Sequence, residues 1–474
     1  MDARAENTDE VPGAEAAEGV SWERVFLFGA GALASTILLK IAQVQFLELL
    51  YVAQIALLAV AFSRNGFRTV VYGPLLWLGL LYGGFCVAAV ALGVASLRFD
   101  FYLPAGLSAV AHPVVVSLAR TFELVLDAFG LLYLAGLFRR SDDKLRFTMK
   151  VYFWTGFASA LYGVLSVPVL RVGLGEFGAI GLGRVRGFYN EGGPYGMYAV
   201  TLFYVGIALY RRGWEPKGRV WAAMGVIALA LVLSVSKAAF AMLLVMVLLN
   251  ALLAQGVGKR LTILGLGAMV VIGVFSNANI GRQLRMYQEQ GERYEQLSQR
   301  HAKDVNFVQG RVAGVFIVPR MIVAHPWTGV GWGNYGIVRN DPQYRGASAW
   351  ADLNDEPGLG LPSLAAELGL PLTGVLMLCM ALPYFYARRA KAPDFVANLA
   401  LVQPMVHTFG AQLNLTYPWI VTSFALGLAF YYGRSAVTGT NPVLNEDSLH
   451  GTGMAPEENG FHPAAGLEGS ESYG

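Results

Sequence analysis

Two arginines, Arg184 and Arg186, open the segment GRVRGFYNEGGPYGMY (183–198), and a long apolar run follows them. A guanidinium stays charged at every relevant pH and presents a rigid fork of donors, which suits it to paired phosphate oxygens. Gly187, Gly192, Gly193 and Pro194 interrupt regular structure beside them, so the backbone can turn closely around a bound group. A third cation, Lys237, stands in LSVSKAAF between two wholly apolar runs. A charge there costs about 2.5–3.5 kcal/mol at the centre of a bilayer and less near its surface, so a retained lysine is a functional candidate. Arg311 and Arg320 follow in GRVAGVFIVPRMIVAHPWTGVGWGNYGIV (310–338), together with His325, Trp327 and Tyr335. Plainer readings stand beside these: arginines snorkelling to headgroups, a turn lysine reaching water, and a histidine that ends a helix before Pro326.

Carboxylates form the second group. Asp352, Asp355 and Glu356 precede an apolar helix expected from about Pro362, Glu367 falls inside that helix, and Glu191 lies beside the arginines. Such residues complement the positive end of a helix, and they can also accept a proton from a reacting hydroxyl. The glycines of GVGWGN (329–334) are not a dinucleotide fingerprint, because no strand precedes them and the helix and acidic partner are missing. Cys86 and Cys379 lie inside apolar runs and read as small packing residues, so neither a metal nor a cofactor is expected.

The elements that must position these groups are membrane helices. The chain has 474 residues, 55% hydrophobic and 14% charged, with a mean hydropathy of +0.48. That charged share is well under the roughly 25% of soluble domains. A net charge of +3 is too small to suggest nucleic-acid binding. Apolar runs near 24–41, 43–62, 70–95, 120–137, 150–169, 192–210, 219–234, 238–254, 261–277, 363–386, 395–410 and 414–433 predict an all-α, polytopic membrane protein of about twelve transmembrane helices. As one helix, Trp221 to Leu253 would run roughly 50 Å, too long for one crossing, so a hairpin is expected at Lys237.

Basic clusters at 63–68, 138–146, 210–219, 256–260 and 387–392 fall on one side, which the positive-inside rule makes the cytoplasm, with both termini. The tails, 1–21 and 434–474, are rich in Gly, Glu and Ser and are expected to be disordered. The first tail lacks the basic region and cleavage site of a signal peptide, so the first span is expected to stay in the membrane. Nine helices are expected within 22–277 and three within 363–433, with a large loop, 278–362, on the outer side between them. That loop should hold a polar helix over 281–304 and an interfacial one within 305–327, and the short segment 106–119 reads as re-entrant or interfacial. No internal repeat is apparent, which weakens a secondary-transporter reading.

In order, Arg186-Gly-Phe with Asn190 before a span, SVSKAAF at a hairpin, Arg311 on a loop helix, HPWTGVGWGNY and SLAAELGLPLTG resemble the O-antigen ligase and O-antigen polymerase superfamily. These are integral-membrane, GT-C-type glycosyltransferases that act on undecaprenyl-pyrophosphate-linked glycans. The resemblance covers residues 180 to 375 as motifs and the rest as topology. It implies metal-independent glycosyl transfer at the periplasmic face of the bacterial inner membrane, with Arg186, Lys237 and Arg311 neutralising the pyrophosphate and Arg184 and Arg320 in reserve. Lys237 falls where the family often has arginine, which keeps the charge and loses the fork.

Ligases of the superfamily carry a His-Asn pair before the AELG segment, which here would fall near Gly358 and Leu359, where no base exists. Asp355 or Glu356 is then the expected base, with Glu191, Asp352 and Glu367 as other acids. Tyr189, Asn190, Trp327 and Tyr335 are expected to touch sugar. The expected activity is a polysaccharide polymerase, with a lipid-linked donor and acceptor, membrane lipid and a chain-length regulator as partners. A ligase and a lipid-linked glycan flippase are the alternatives.

Overall fold

The computed structural model describes residues 21–36, 40–41, 44–65, 72–96, 112–173, 176–180, 183–253, 261, 265, 294–300, 302, 311–350, 359–410 and 415–438. Turn chemistry decides where its helices begin. Ser21 accepts the amide of Arg24 and starts α1 (Trp22–Leu33), while His112 caps α4 (Pro113–Arg140) with proline in the first turn. Ser141 ends α4 and caps α5 (Asp142–Arg171), whose first turn carries Asp142 and Asp143. Between α1 and α4 run α2 (Phe46–Asn65) and α3 (Gly73–Ser96).

After α5 come α6 (Gly192–Arg211), α7 (Lys217–Ser234) and α8 (Lys237–Leu253). Short helices α9 (Tyr294–Arg300), α10 (Arg311–Ala324), α11 (Tyr335–Val338) and α12 (Pro342–Arg345) lead to α13 (Leu361–Arg389), α14 (Asp394–Gly410) and α15 (Tyr417–Thr438). That makes 15 helices among the described residues. Two antiparallel hairpins of two-residue strands join them: β1 (Lys40–Ile41) with β2 (Val44–Gln45), and β3 (Ala179–Ile180) with β4 (Arg184–Val185).

The chain is therefore mostly helical, and five helices, α3, α4, α5, α7 and α13, are long and apolar enough to cross a membrane. Shorter apolar stretches lie at Phe46–Val60, Lys237–Ala251 and Ala313–Ala324. α15 is the central helix, buried continuously from Leu415 to Phe430 and packed on α4, α13 and α14. A helix with apolar side chains all round belongs in such a place. Around it α3 packs on α4 and α13, α5 on α1 and α7, and α6 on α7, α8 and α14.

Of the expected basic clusters, those at 138–146, 210–219 and 387–392 gather at one end of this bundle, while 256–260 and 66–68 lie outside the described residues. Arg212 pairs with Asp142 at 3.1 Å, Lys150 with Glu215 at 2.7 Å, Arg388 with Asp394 at 2.8 Å, and Lys144 with Glu23. Arg139 lies 3.8 Å over the ring of Tyr72, whose hydroxyl meets that of Tyr386 at 3.1 Å.

Several expectations change. The first span ends at Leu33 instead of reaching residue 41, because β1 and β2 turn the chain there. Residues 113–119 are not a separate re-entrant piece; Pro113 begins one 28-residue helix that absorbs them. α15 continues to Thr438, so helix replaces the first residues of the expected tail. Within the segment 305–327, Ala313, Ile317, Val318 and Met321 of α10 are buried in a core shared with Tyr335 of α11 and Ala366 of α13, and residues 305–310 lie outside the described residues. Apart from residues 261 and 265, the expected span 261–277 lies outside the described residues, as do residues 1–20, 439–474 and most of 281–304.

Candidate functional site

The end opposite the basic clusters carries the sequence-predicted cations, and α5 builds the floor beneath them. Ser166 Oγ accepts the amide of Gly178 at 3.1 Å, and Ser159 Oγ accepts that of Phe188 at 3.0 Å. Thr36, just past α1, donates to the Phe188 carbonyl at 2.9 Å. Gly178 O accepts the amides of Arg186 (2.8 Å) and Gly187 (3.1 Å), which closes the loop around the β3–β4 hairpin.

Held this way, Arg186 donates from Nε to Phe177 O at 2.8 Å, from Nη2 to Glu176 O at 3.4 Å and from Nη1 to Asn190 O at 3.5 Å. The last two bonds are long, so the fork can exchange them for a stronger anionic acceptor. Arg184 is exposed and reaches from Nε to Ser234 O at 3.4 Å, three residues before Lys237. Ser236 starts α8: its Oγ accepts Ala239 N at 3.3 Å and donates to Gly193 O at 3.0 Å. The first turns of α6 and α8 therefore meet at the exposed Arg184 and Lys237, two positive helix ends beside two cations. Between them Val235 is left-handed at φ 52°, an outlier for a β-branched residue and a mark of a constrained turn.

Asn190 and Glu191 are exposed at the same rim, Glu191 in the capping position of α6 with no side-chain cap bond. Tyr189 is not at the rim. It is fully buried, donates to Ala34 O at 3.0 Å and packs on Tyr195, Tyr198 and Tyr417, so it supports the loop from below.

A second assembly joins the two motifs HPWTGVGWGNY and AELGLP. The amides of Val330 and Gly331 donate to Ala366 O (2.9 Å) and Glu367 O (3.0 Å), and Leu370 N donates to Pro326 O (2.8 Å). α13 breaks at Gly369, φ 74° and ψ 163°, where a Cβ would stand 2.5 Å from Trp327 O. Gly329, φ 65°, lies just as close to the Glu367 carbonyl, so glycine is required on both sides of this contact. Glu367 Oε1 accepts the amide of Tyr335 at 3.2 Å, which ties the carboxylate to the loop. Tyr335 is fully buried, whereas Trp327 is 74% exposed and available to a ligand.

Arg320 spans α10, pairing with Glu295 at 2.8 Å and donating to Tyr344 O at 3.1 Å, so its fork is occupied in holding α9 and α12 together. His325 Nε2 meets the Tyr344 hydroxyl at 2.8 Å. Burial lowers the His325 pKa, and Asp341 opposes that shift. A neutral imidazole accepting from the phenol fits a structural role at the end of α10. Arg311 begins α10, and Asp352, Asp355 and Glu356 lie outside the described residues.

Sequence reasoning passed over three features. Arg339 is 1% exposed and sits 5.5 Å from the Tyr335 ring. Arg120 of α4 pairs with Glu123 at 3.1 Å and lines the approach to Gly333, while Ser117 donates to Trp332 O at 2.7 Å. Glu48, Glu123 and Asp127 lie within largely apolar helices. The rule that singled out Lys237, a charge inside an apolar run, applies to them equally. No family model matches the sequence, and no curated protein is significantly similar to it. Among the described residues no group of three or more His, Cys, Asp or Glu could hold a metal ion.

Proposed function

We propose that the protein is a polysaccharide polymerase of the bacterial inner membrane, with about twelve spans, cytoplasmic termini and a site open to the periplasm. It transfers an undecaprenyl-pyrophosphate-linked glycan to a sugar hydroxyl of a lipid-linked repeat unit. The observation that carries this reading is the meeting of Arg184 with the Lys237 turn beside Arg186, at the end opposite the basic clusters. Three cations in one place suit a pyrophosphate, and the exposed Asn190 and Trp327 suit a sugar chain.

The acceptor oxygen bonds to the anomeric carbon as the bond from that carbon to the pyrophosphate oxygen breaks, with inversion. The leaving group takes the electron pair, and Arg184, Arg186, Lys237 and Arg311 offset its charge. The hydroxyl proton passes to a carboxylate, Asp355 or Glu356 by the resemblance. Such a reaction asks chiefly for positioning and electrostatics, which is why a site built on two helix starts suits it. A chain-length regulator is the expected protein partner.

Replacing Arg186, Arg311 and Lys237 singly by alanine in cells tests the reading. Loss of long surface chains, with single repeat units still exported, is the expected result. Disappearance of every translocated unit would instead assign the protein to flipping.

A further inference from the structure

Inside the bundle, away from this site, three side chains that carry ionisable groups share a space between α2 and α4. Asp127 and Tyr51 are 0% exposed and Glu48 is 1% exposed. Both Asp127 carboxyl oxygens and the Tyr51 hydroxyl lack a hydrogen-bond partner. Tyr51 lies against Gly130, one turn from Asp127, where a Cβ would stand 2.7 Å from its hydroxyl. Glu48 Oε2 accepts the Gln45 amide at 2.7 Å.

Among the described residues, Glu48 and Glu123, both carboxylates, act on Asp127, and Arg120 is paired with Glu123 and acts on Glu48. From the other side α3 contributes Tyr82 and Cys86 to a core that is otherwise apolar, with Trp419, Leu426 and Phe430 of α15. A charge on a buried carboxylate whose two oxygens meet no donor is costly, so such a group is built to hold a proton. Metal ions are a poor match, because no acid cluster among the described residues has metal-holding geometry.

We propose that Asp127, with Glu48 and Tyr51, forms a proton-binding site within the helical bundle. Its access route is written on α4. Asp127, Glu123 and Arg120 recur at helical spacing on one face, with side-chain exposure rising to 17% at Glu123 and 29% at Arg120, toward the end that carries the cations. Protons can thus enter from that end by way of the Arg120–Glu123 pair. The site does not depend on the transfer reaction and would serve a flippase equally.

Infrared difference spectroscopy of the full chain in lipid nanodiscs, with isotope-labelled aspartate, tests it. At neutral pH we expect a protonated-carboxyl carbonyl band that shifts with the label, vanishes in Asp127→Asn and moves in Glu48→Gln. The labelled wild-type protein answers the question even if a variant fails to fold. Absence of a label-sensitive band at neutral pH overturns the proposal, as does a band that disappears when choline is replaced by sodium, which would assign the site to an alkali cation.

Discussion

Replacing Gly369 by alanine attacks the place where, among the described residues, α13 and the loop before it exchange backbone hydrogen bonds in both directions. At φ 74° and ψ 163° the backbone is in a region that is nearly glycine-only, and holding alanine there costs about 1–3 kcal/mol. The added Cβ would meet Trp327 O at 2.5 Å and Thr328 N at 2.8 Å. Both are backbone atoms that no rotamer change can move, which adds about 1–3 kcal/mol of overpacking. The sum is about 2–6 kcal/mol, and its lower end already reduces the docking equilibrium constant roughly 30-fold, at about 1.4 kcal/mol per tenfold.

Gly374→Ala is the internal control: five residues along the same helix, a Cβ there meets nothing within 4 Å. It should leave docking unchanged and strengthen the helix by up to about 1 kcal/mol. Amide hydrogen exchange at Val330 and Gly331 reads the difference directly, because their donors bond across this contact. Exchange should accelerate roughly 30-fold or more in Gly369→Ala. Equal exchange in the two variants would refute the account of the break.

Lys237→Arg should preserve or raise polymer length on a surface-polysaccharide gel while Lys237→Ala shortens it, since the fork of arginine replaces a point charge beside Arg184. Arg320→Ala should lower stability by about 1–2 kcal/mol and leave polymer length intact, because its half-exposed pair with Glu295 contributes under about 1 kcal/mol and its bond to Tyr344 O about as much again; a thermal-shift assay checks the first part and the same gel the second. The lowered His325 pKa means that the folded protein prefers neutral imidazole. Its contribution is present above the ordinary pKa of about 6.5 and is lost as pH falls through the lower folded value. Fluorescence-monitored melting should therefore drop with acidification, and less so in His325→Gln.

Much of the architecture was legible because hydropathy is local information. The break at Lys237 followed from length alone, and Ser234, Val235 and Ser236 place it where the apolar run had to fold back. The β1–β2 turn escaped because two-residue strands leave no periodicity to read. The start of α4 escaped because His112 and Pro113 resemble a loop until the cap bond is seen. Site residues divided along the same line. Arg184 and Lys237 could be named from charge in an apolar context, but their meeting depends on Ser236 bonding Gly193, 43 residues away. Tyr189 and Tyr335 looked like sugar contacts from their neighbours in sequence, yet tertiary packing buries both. Gly329 belongs to a Gly-rich run and Gly369 falls inside an expected apolar helix, and nothing in the sequence says that each admits the other's segment.

The paired bonds across Gly369 also have a mechanical meaning. Because the donors run in both directions, from Gly331 to Glu367 and from Leu370 to Pro326, sliding the loop by one residue would break every bond at once. The loop is thus locked in register and pinned on both sides of the break, to Ala366 and Glu367 before it and to Leu370 after it, so it staples the two halves of α13 at a fixed angle. Trp327 stands on that staple, so the position of its exposed ring is set by the angle at which α13 breaks.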